Sequence, residues 1–485
     1  MRRRSGEVGS AWTVLAAAGS PGALAVDDAG RLATGRVGWS LDWEVHAGEQ
    51  RCTPRGAASR RQRAAGAEGA APVALETVVR AGDGDVSQLA YVAVAADATA
   101  GALGVLEMRN RTSAPVAVTL ALRPGDHWRP DGLWWVEIDA AGVLANGARA
   151  LWWERPPAAA RLLEDVTAPT GPRGSPPVVG GSNGLLQRVR SRRGQAAAEL
   201  TWSVTHGGTL RVVLPLQAAD TVAPEPAVVP TLAQVGRGWD LHTAGGLRVA
   251  GLRDGRIETL VTTAIRRLLA IDVGPNAGDG PDGRLSPAER ALVGTALAVA
   301  GFPQRAAEVV PVRAGRNPSG ASRMARREAA RVTAPFGAMP EAAEAMAADA
   351  GPGGGWVGDR GGDDPALRAA FLLAVRDTLV SEQGGRLDLL AGAGADLAGS
   401  RPPIEVHRLA TGCGVLSFAV RWHDESPALL WELVPPDSRL ESWAAVLAGD
   451  GETGLAALVP LRITASALAA GWCTRELAGE ALLRR

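Results

Sequence analysis

The sequence contains no lysine, so all 51 of its basic side chains are arginine, and 51 acidic residues cancel them. A chain of zero formal charge carries no standing positive field, and no nucleic-acid or membrane partner is expected. Cysteine is scarce. Cys52, Cys413 and Cys473 are far apart, odd in number and show no CxxC spacing. That excludes a disulfide framework and a zinc ribbon and points to a reducing, cytoplasmic setting. No apolar run reaches the ~18–20 residues needed to cross a bilayer. Met1 and three arginines, followed by the apolar residues 12–18, open like a secretory leader, but Gly19-Ser20-Pro21 breaks the run. Nucleotide loops, HExxH helices and nucleophile elbows are missing in their required context, so no cofactor or metal is expected. There is also no internal repeat of the kind that builds solenoids or propellers.

What is present is an apolar content of 46% over 485 residues, enough for several packed cores. Residues 73–79 and 86–94 flank Gly82-Asp83-Gly84-Asp85, which is hairpin chemistry. Val116, Val118, Leu120 and Leu122 alternate with smaller residues as a half-buried strand does. A meander follows over residues 133–153, with Asn146-Gly147 as its tightest turn. Residues 197–204 and 210–216 make a last pair. Strands at this spacing predict a large β-sandwich over residues 1–222. Residues 51–71, rich in arginine, and 167–184, rich in Pro, Gly and Ser, read as exposed loops within it.

Residues 223–249 read as a linker with one short helix at 232–241. Beyond it the period changes to that of a helix. Ile257, Leu260, Val261, Ala264, Ile265, Leu268 and Leu269 share one face. Ser286, Pro287 and Glu289 predict a capping box that starts the next helix, and Gly301 is its expected stop. Further helices are expected at 304–310, 321–332, 340–350 and 364–382, the last capped by Asp364 before Pro365. From residue 399 the pattern returns to strands, at 404–407, 415–422, 428–433 and 458–463. The fold class expected is therefore multidomain β + α. A large N-terminal sandwich (1–222) and a linker (223–249) precede a helical domain (250–398) and a small C-terminal β-sandwich (399–485).

This order of parts resembles the inverting glycoside hydrolases and disaccharide phosphorylases of the six-hairpin, (α/α)-barrel type. Residues 414–433 (GVLSFAVRWHDESPALLWEL) are similar to a segment of actinobacterial six-hairpin-glycosidase-like proteins. Residues 479–483, 110–122 and 147–156 agree in outline. The resemblance implies α-glucan or oligosaccharide as ligand and, if the chain is catalytic, inversion by a Glu or Asp general acid without a cofactor. Such a barrel uses about twelve helices, and residues 250–398 have room for about half of them at ~11–12 residues each. The helical domain is expected to be a shortened, partial barrel, and no catalytic residue carries over by motif. The alternative is a non-catalytic carbohydrate-binding or protein-interaction scaffold.

Inverting hydrolysis needs two carboxyls about 6.5–9.5 Å apart, one protonated and one ionised. Two clusters offer carboxylates beside an aromatic. In the first, Trp356, Asp359, Asp363 and Asp364 lie in a glycine-rich stretch at a helix start, with Asp359 and Asp363 as catalytic candidates and Trp356 as a stacking ring. A packing tryptophan and an N-cap aspartate account equally for these residues. In the second, Asp42, Trp43 and Glu44 are ligand-binding candidates: on a strand, Asp42 and Glu44 share the face opposite Trp43. Such a tryptophan is more often core. Glu341 and Glu344 read as a solvated helix face, and His407, His423, Asp424 and Glu425 lack metal spacing. The pairs Trp134-Trp135 and Trp152-Trp153 each place one ring on either side of a sheet, as a stacking platform or as interface filler.

Overall fold

The computed structural model describes residues 12–19, 22–34, 38–66, 72–95, 101–125, 132–166, 187–216, 229–252, 255–272, 285–310, 318–334, 339–358, 363–383, 385–392, 403–423, 426–435 and 461–483. It is a multi-sheet, mostly β protein. No barrel is formed among the described residues. The chain divides into two compact units, one holding residues 1–240 and the other most of the remainder.

The first unit is built from two antiparallel sheets. One has eight strands, ordered Trp12–Ala16, Ala23–Asp27, Leu32–Ala33, Trp39–Ala47, Val116–Pro124, Ala197–Val204 and Ala159–Leu163, with Gln50–Cys52 added to Trp39–Ala47. The other has nine, running from Gln187–Arg190 through the meander to Ala102–Asn110, Gly84–Val94, Ala74–Ala81 and Arg61–Ala65. Side chains point to the two faces of each sheet in turn, and one apolar face of each meets the other. Leu24, Leu41, Trp43, Leu120 and Trp202 of the first sheet share one core with Leu75, Val86, Leu106, Leu151 and Val212 of the second. The meander turns at Asn146 (φ 51°) and Gly147 (φ 90°), as the dipeptide predicts.

Arg61–Ala65 corrects the reading of residues 51–71 as loop. It is an edge strand paired to Ala74–Ala81, with Arg61 on Asp85 at 2.8 Å and Arg63 on Glu76 at 2.6 Å. Arginines blunt an edge against further pairing, and they also hide the strand from a hydrophobicity pattern. The outer face of the nine-stranded sheet is covered by the connector. Val229, Leu232 and Val235 pack on Tyr91, Leu103, Val105 and Trp152. Beneath them the chain's one tyrosine is clamped. Its hydroxyl lies 3.0 Å from Glu107 Oε1, and Arg211 donates to it at 2.8 Å and to the Pro230 carbonyl at 3.0 Å. Burial, then the Glu107 charge, pushes Tyr91 up to about 12.

The second unit holds six helices and two sheets among its described residues. Ser286 and Glu289 make the predicted reciprocal cap on Pro287–Val299. The apolar face of Gly255–Leu269 is buried at Ile257, Leu260, Val261, Ala264, Ile265, Leu268 and Leu269, as its period requires. The last helix, Pro365–Leu379, ends three residues short of the sequence expectation. At Val380 the backbone becomes extended, and Val380–Gln383 pairs with Arg386–Leu389 around Gly385 (φ 77°). A β-branched residue followed within a few positions by Gly385 at positive φ favours a hairpin over another helical turn. This hairpin joins Arg462–Thr464 and Cys473–Thr474 in a four-stranded sheet. A five-stranded sheet contains Arg248–Ala250, Ile404–Thr411, Gly414–His423, Ser426–Val434 and Ala478–Leu482.

Candidate functional site

The strand Trp39–Ala47 places Trp39, Leu41, Trp43 and Val45 in the core and turns Ser40, Asp42, Glu44 and His46 to the opposite face. Trp43 is 4% exposed, and its indole donates to the Ala29 carbonyl at 3.2 Å. Its ring is therefore packing and is not open to a ligand. Asp42 and Glu44 share the other face, about 6.7 Å apart along the backbone.

Pairing decides what surrounds them. Glu44 stands in register with Thr119 and, one strand further, Thr201; Asp42 stands in register with Ala121 and then Glu199. The small, buried Thr119 and Ala121 thus lie between Asp42 and Glu44 on one side and Glu199 and Thr201 on the other. The two threonine hydroxyls bond each other at 2.9 Å. Arg123 donates to Glu199 at 3.1 Å and Arg161 lies 3.7 Å from it. His46 lies 3.0 Å from Glu44, and Arg51 donates to the same carboxylate at 2.6 and 3.0 Å. Burial pushes the Glu44 carboxyl up, but the hydrogen bonds from His46 and Arg51 outweigh it and hold it below its ordinary value. Half-buried Asp42 makes no hydrogen bond or ion pair through its carboxylate with another described residue.

The face is thus an array of fixed acceptors and donors about an open carboxylate. Glu44 stays ionised, which unfits it as a general acid. Because its folded value is lowered, Glu44 contributes stability above its unfolded value of 4.5 and loses it as pH falls through the folded value. Arg51 is largely solvated, so the pair is expected to contribute only about 0.5–1 kcal/mol. Unfolding free energies from urea titration of Glu44→Gln and wild type should differ by about that amount at pH 7, and the difference should vanish as pH falls through the folded value.

The second cluster is placed differently. Trp356 is 2% exposed, its indole donates to Met346 O at 2.8 Å, and its ring lies 4.9 Å from Phe371. It is core packing rather than a stacking surface, because the turn at Gly354 (φ 71°) lays it on the helical layer. Asp363 is buried, 4% exposed, and Asp364 accepts from Ala366 N and Leu367 N as the N-cap of the last helix. Asp359 lies outside the described residues, as do Asp424 and Glu425. Glu341 and Glu344 are exposed. Of the tryptophan pairs, Trp152 is buried under the connector, Trp153 packs edge-on to Trp202, and Trp135 lies beneath Arg188 at 4.3 Å. Trp134 alone of the four is exposed, at 52%. No group of three or more His, Cys, Asp or Glu side chains among the described residues is placed to hold a metal.

Thr119, Thr201, Glu199, Arg123 and Arg161 were not legible as site residues, since strand pairing across some eighty residues brings them to Asp42 and Glu44. No protein-family model matches the chain, and no curated protein matches it.

Proposed function

We propose that the chain is a glycoside-hydrolase-like protein that binds oligosaccharide of the α-glucan class on the outer face of the eight-stranded sheet, with catalysis lost. The observation that supports binding is the half-buried Asp42 carboxylate, which no described side chain occupies, on the same sheet face as the fixed Thr119–Thr201 hydroxyls and the Arg123 and Arg51 guanidiniums. Sugar hydroxyls each donate and accept, and such a mixed array meets both needs. The ionised Glu44 and the burial of Trp356 and Asp363 weigh against hydrolysis. Three free cysteines suit a reducing, cytoplasmic setting. No described helix is long and apolar enough to cross a membrane.

A protein-interaction scaffold is the second reading. Leu430, Val434 and Leu482 lie exposed on the strands Ser426–Val434 and Ala478–Leu482 of the five-stranded sheet, interleaved with Glu432 and Glu480, a mixed surface suited to a protein partner.

Calorimetric titration with maltooligosaccharides, paired with an assay for released reducing sugar, tests the proposal. Binding without release, weakened about tenfold or more by Asp42→Ala, is the expected result. Release of sugar with inverted configuration would make the chain a hydrolase. If no sugar binds, the carbohydrate reading fails and the scaffold reading takes its place.

A further inference from the structure

The four-stranded sheet of the second unit also has two unlike faces. Val380, Leu387, Leu389 and Ile463 are fully buried on one side. On the other, Arg386 stands in register with Arg462, and Asp388 with Thr464 and then Cys473. Like charges directly opposite each other on a sheet are destabilising, so the pairing of two arginines calls for a compensating anion.

Asp388 compensates only in part. Arg386 Nη2 is 3.5 Å from its carboxylate, while Arg386 Nε donates to Thr464 Oγ1 at 3.1 Å. The carboxylate itself is drawn away by Ser466, through its amide at 2.9 Å and its hydroxyl at 2.6 Å, and by the Thr464 hydroxyl at 2.9 Å. Arg462 makes no side-chain hydrogen bond or ion pair with another described residue. The two guanidiniums, with Thr464, Ser466, Gly471, Trp472 and Cys473, line an open pocket of about 200 Å³. No acidic residue among the described residues lines it. Trp472 is held in place by an edge contact with Trp431 at 5.4 Å.

We infer that this cavity is a binding site for a tetrahedral phosphate group, held between Arg386 and Arg462 and flanked by the Trp472 ring. Two guanidinium forks supply more charge and more donors than a single carboxylate accepts, and the planar fork matches phosphate oxygens in pairs. The volume falls below the ~300–1,000 Å³ of pockets for drug-sized ligands, so the phosphate is free or carried on one small ring. The site belongs to the second unit and does not depend on the carbohydrate reading.

The test uses the full chain, with inorganic phosphate and a hexose monophosphate as probes followed by tryptophan fluorescence and calorimetry. At least one should bind with a Kd of about 1 mM or tighter, and Arg462→Gln should weaken it about tenfold, roughly 1.4 kcal/mol. Tighter binding of the monoester, with the gain lost in Trp472→Leu, identifies a ring-borne phosphate; equal affinities identify the free ion. A readout that needs no variant is the alkylation of Cys473 by iodoacetamide. Cys473 is exposed, whereas Cys52 is buried and burial pushes the Cys413 thiol up to about 11. Phosphate should slow the modification of Cys473. If neither probe binds at about 10 mM, or if Arg462→Gln binds as wild type does, the inference is overturned.

Discussion

Replacing Gly30 by alanine is expected to destabilise the first unit by about 3–5 kcal/mol, read as a lower urea midpoint at unchanged slope. The turn from Asp27 to Arg31 links two strands of the eight-stranded sheet and is held from every side. Asp27 Oδ1 accepts from Ala29 N and Arg31 N at 2.9 and 2.8 Å, and Arg55 reaches Oδ2 at 3.2 Å. The turn's carbonyls are taken up by side chains from elsewhere in the unit. Gln62 donates to Asp27 O at 2.8 Å, Trp43 to Ala29 O and Gln88 to Gly30 O at 2.8 Å. Gly30 has φ +80°, and a Cβ there would sit 2.1 Å from Gln88 Oε1 and 2.8 Å from Trp43 Nε1.

Neither neighbour can step aside without giving up its own bond in a buried site, where an orphaned donor or acceptor costs about 1–3 kcal/mol. Backbone strain adds about 1 kcal/mol for a non-glycine residue at positive φ. Gly207 separates the two effects. It has φ +68° with nothing within 4 Å of its Cβ position, so Gly207→Ala should cost only the strain. Equal losses for the two variants would show that the Gly30 network bears no stability.

The second large effect concerns Trp356. As a core residue stacked near Phe371 and bonded to Met346 O, it should cost about 3–5 kcal/mol when truncated to alanine. Trp356→Phe should lose less, since a ring still fills the space while the Met346 carbonyl loses its donor. Chemical denaturation followed by far-UV circular dichroism measures both. A stacking platform behaves in the opposite way: truncation leaves the midpoint unchanged and lowers sugar affinity. That outcome would return Trp356 to the ligand-binding candidates.

The local grammar of this chain is readable because it rests on neighbours in sequence. The Ser286–Glu289 cap, the Asn146-Gly147 turn, the apolar stripe from Ile257 to Leu269 and the inward Trp43 between outward Asp42 and Glu44 need only one or two turns of helix or a few residues of strand. Patterns failed where charge or shortness masks a strand. The arginine-rich edge strand Arg61–Ala65 and the brief hairpin from Val380 to Leu389 are two such places.

Composition, most element types and the facing of strands such as Trp39–Ala47 were thus determined by the sequence itself, through side-chain period and turn chemistry. Which residues become neighbours was decided only by tertiary structure. Thr201 and Glu199 reach Thr119 and Ala121 across a strand pair, Arg462 reaches Arg386 across seventy-five intervening residues, and Trp356 turns inward onto Phe371. The physical reason is that register and burial are set by the packing of whole faces against a shared core. No local window of sequence carries that information.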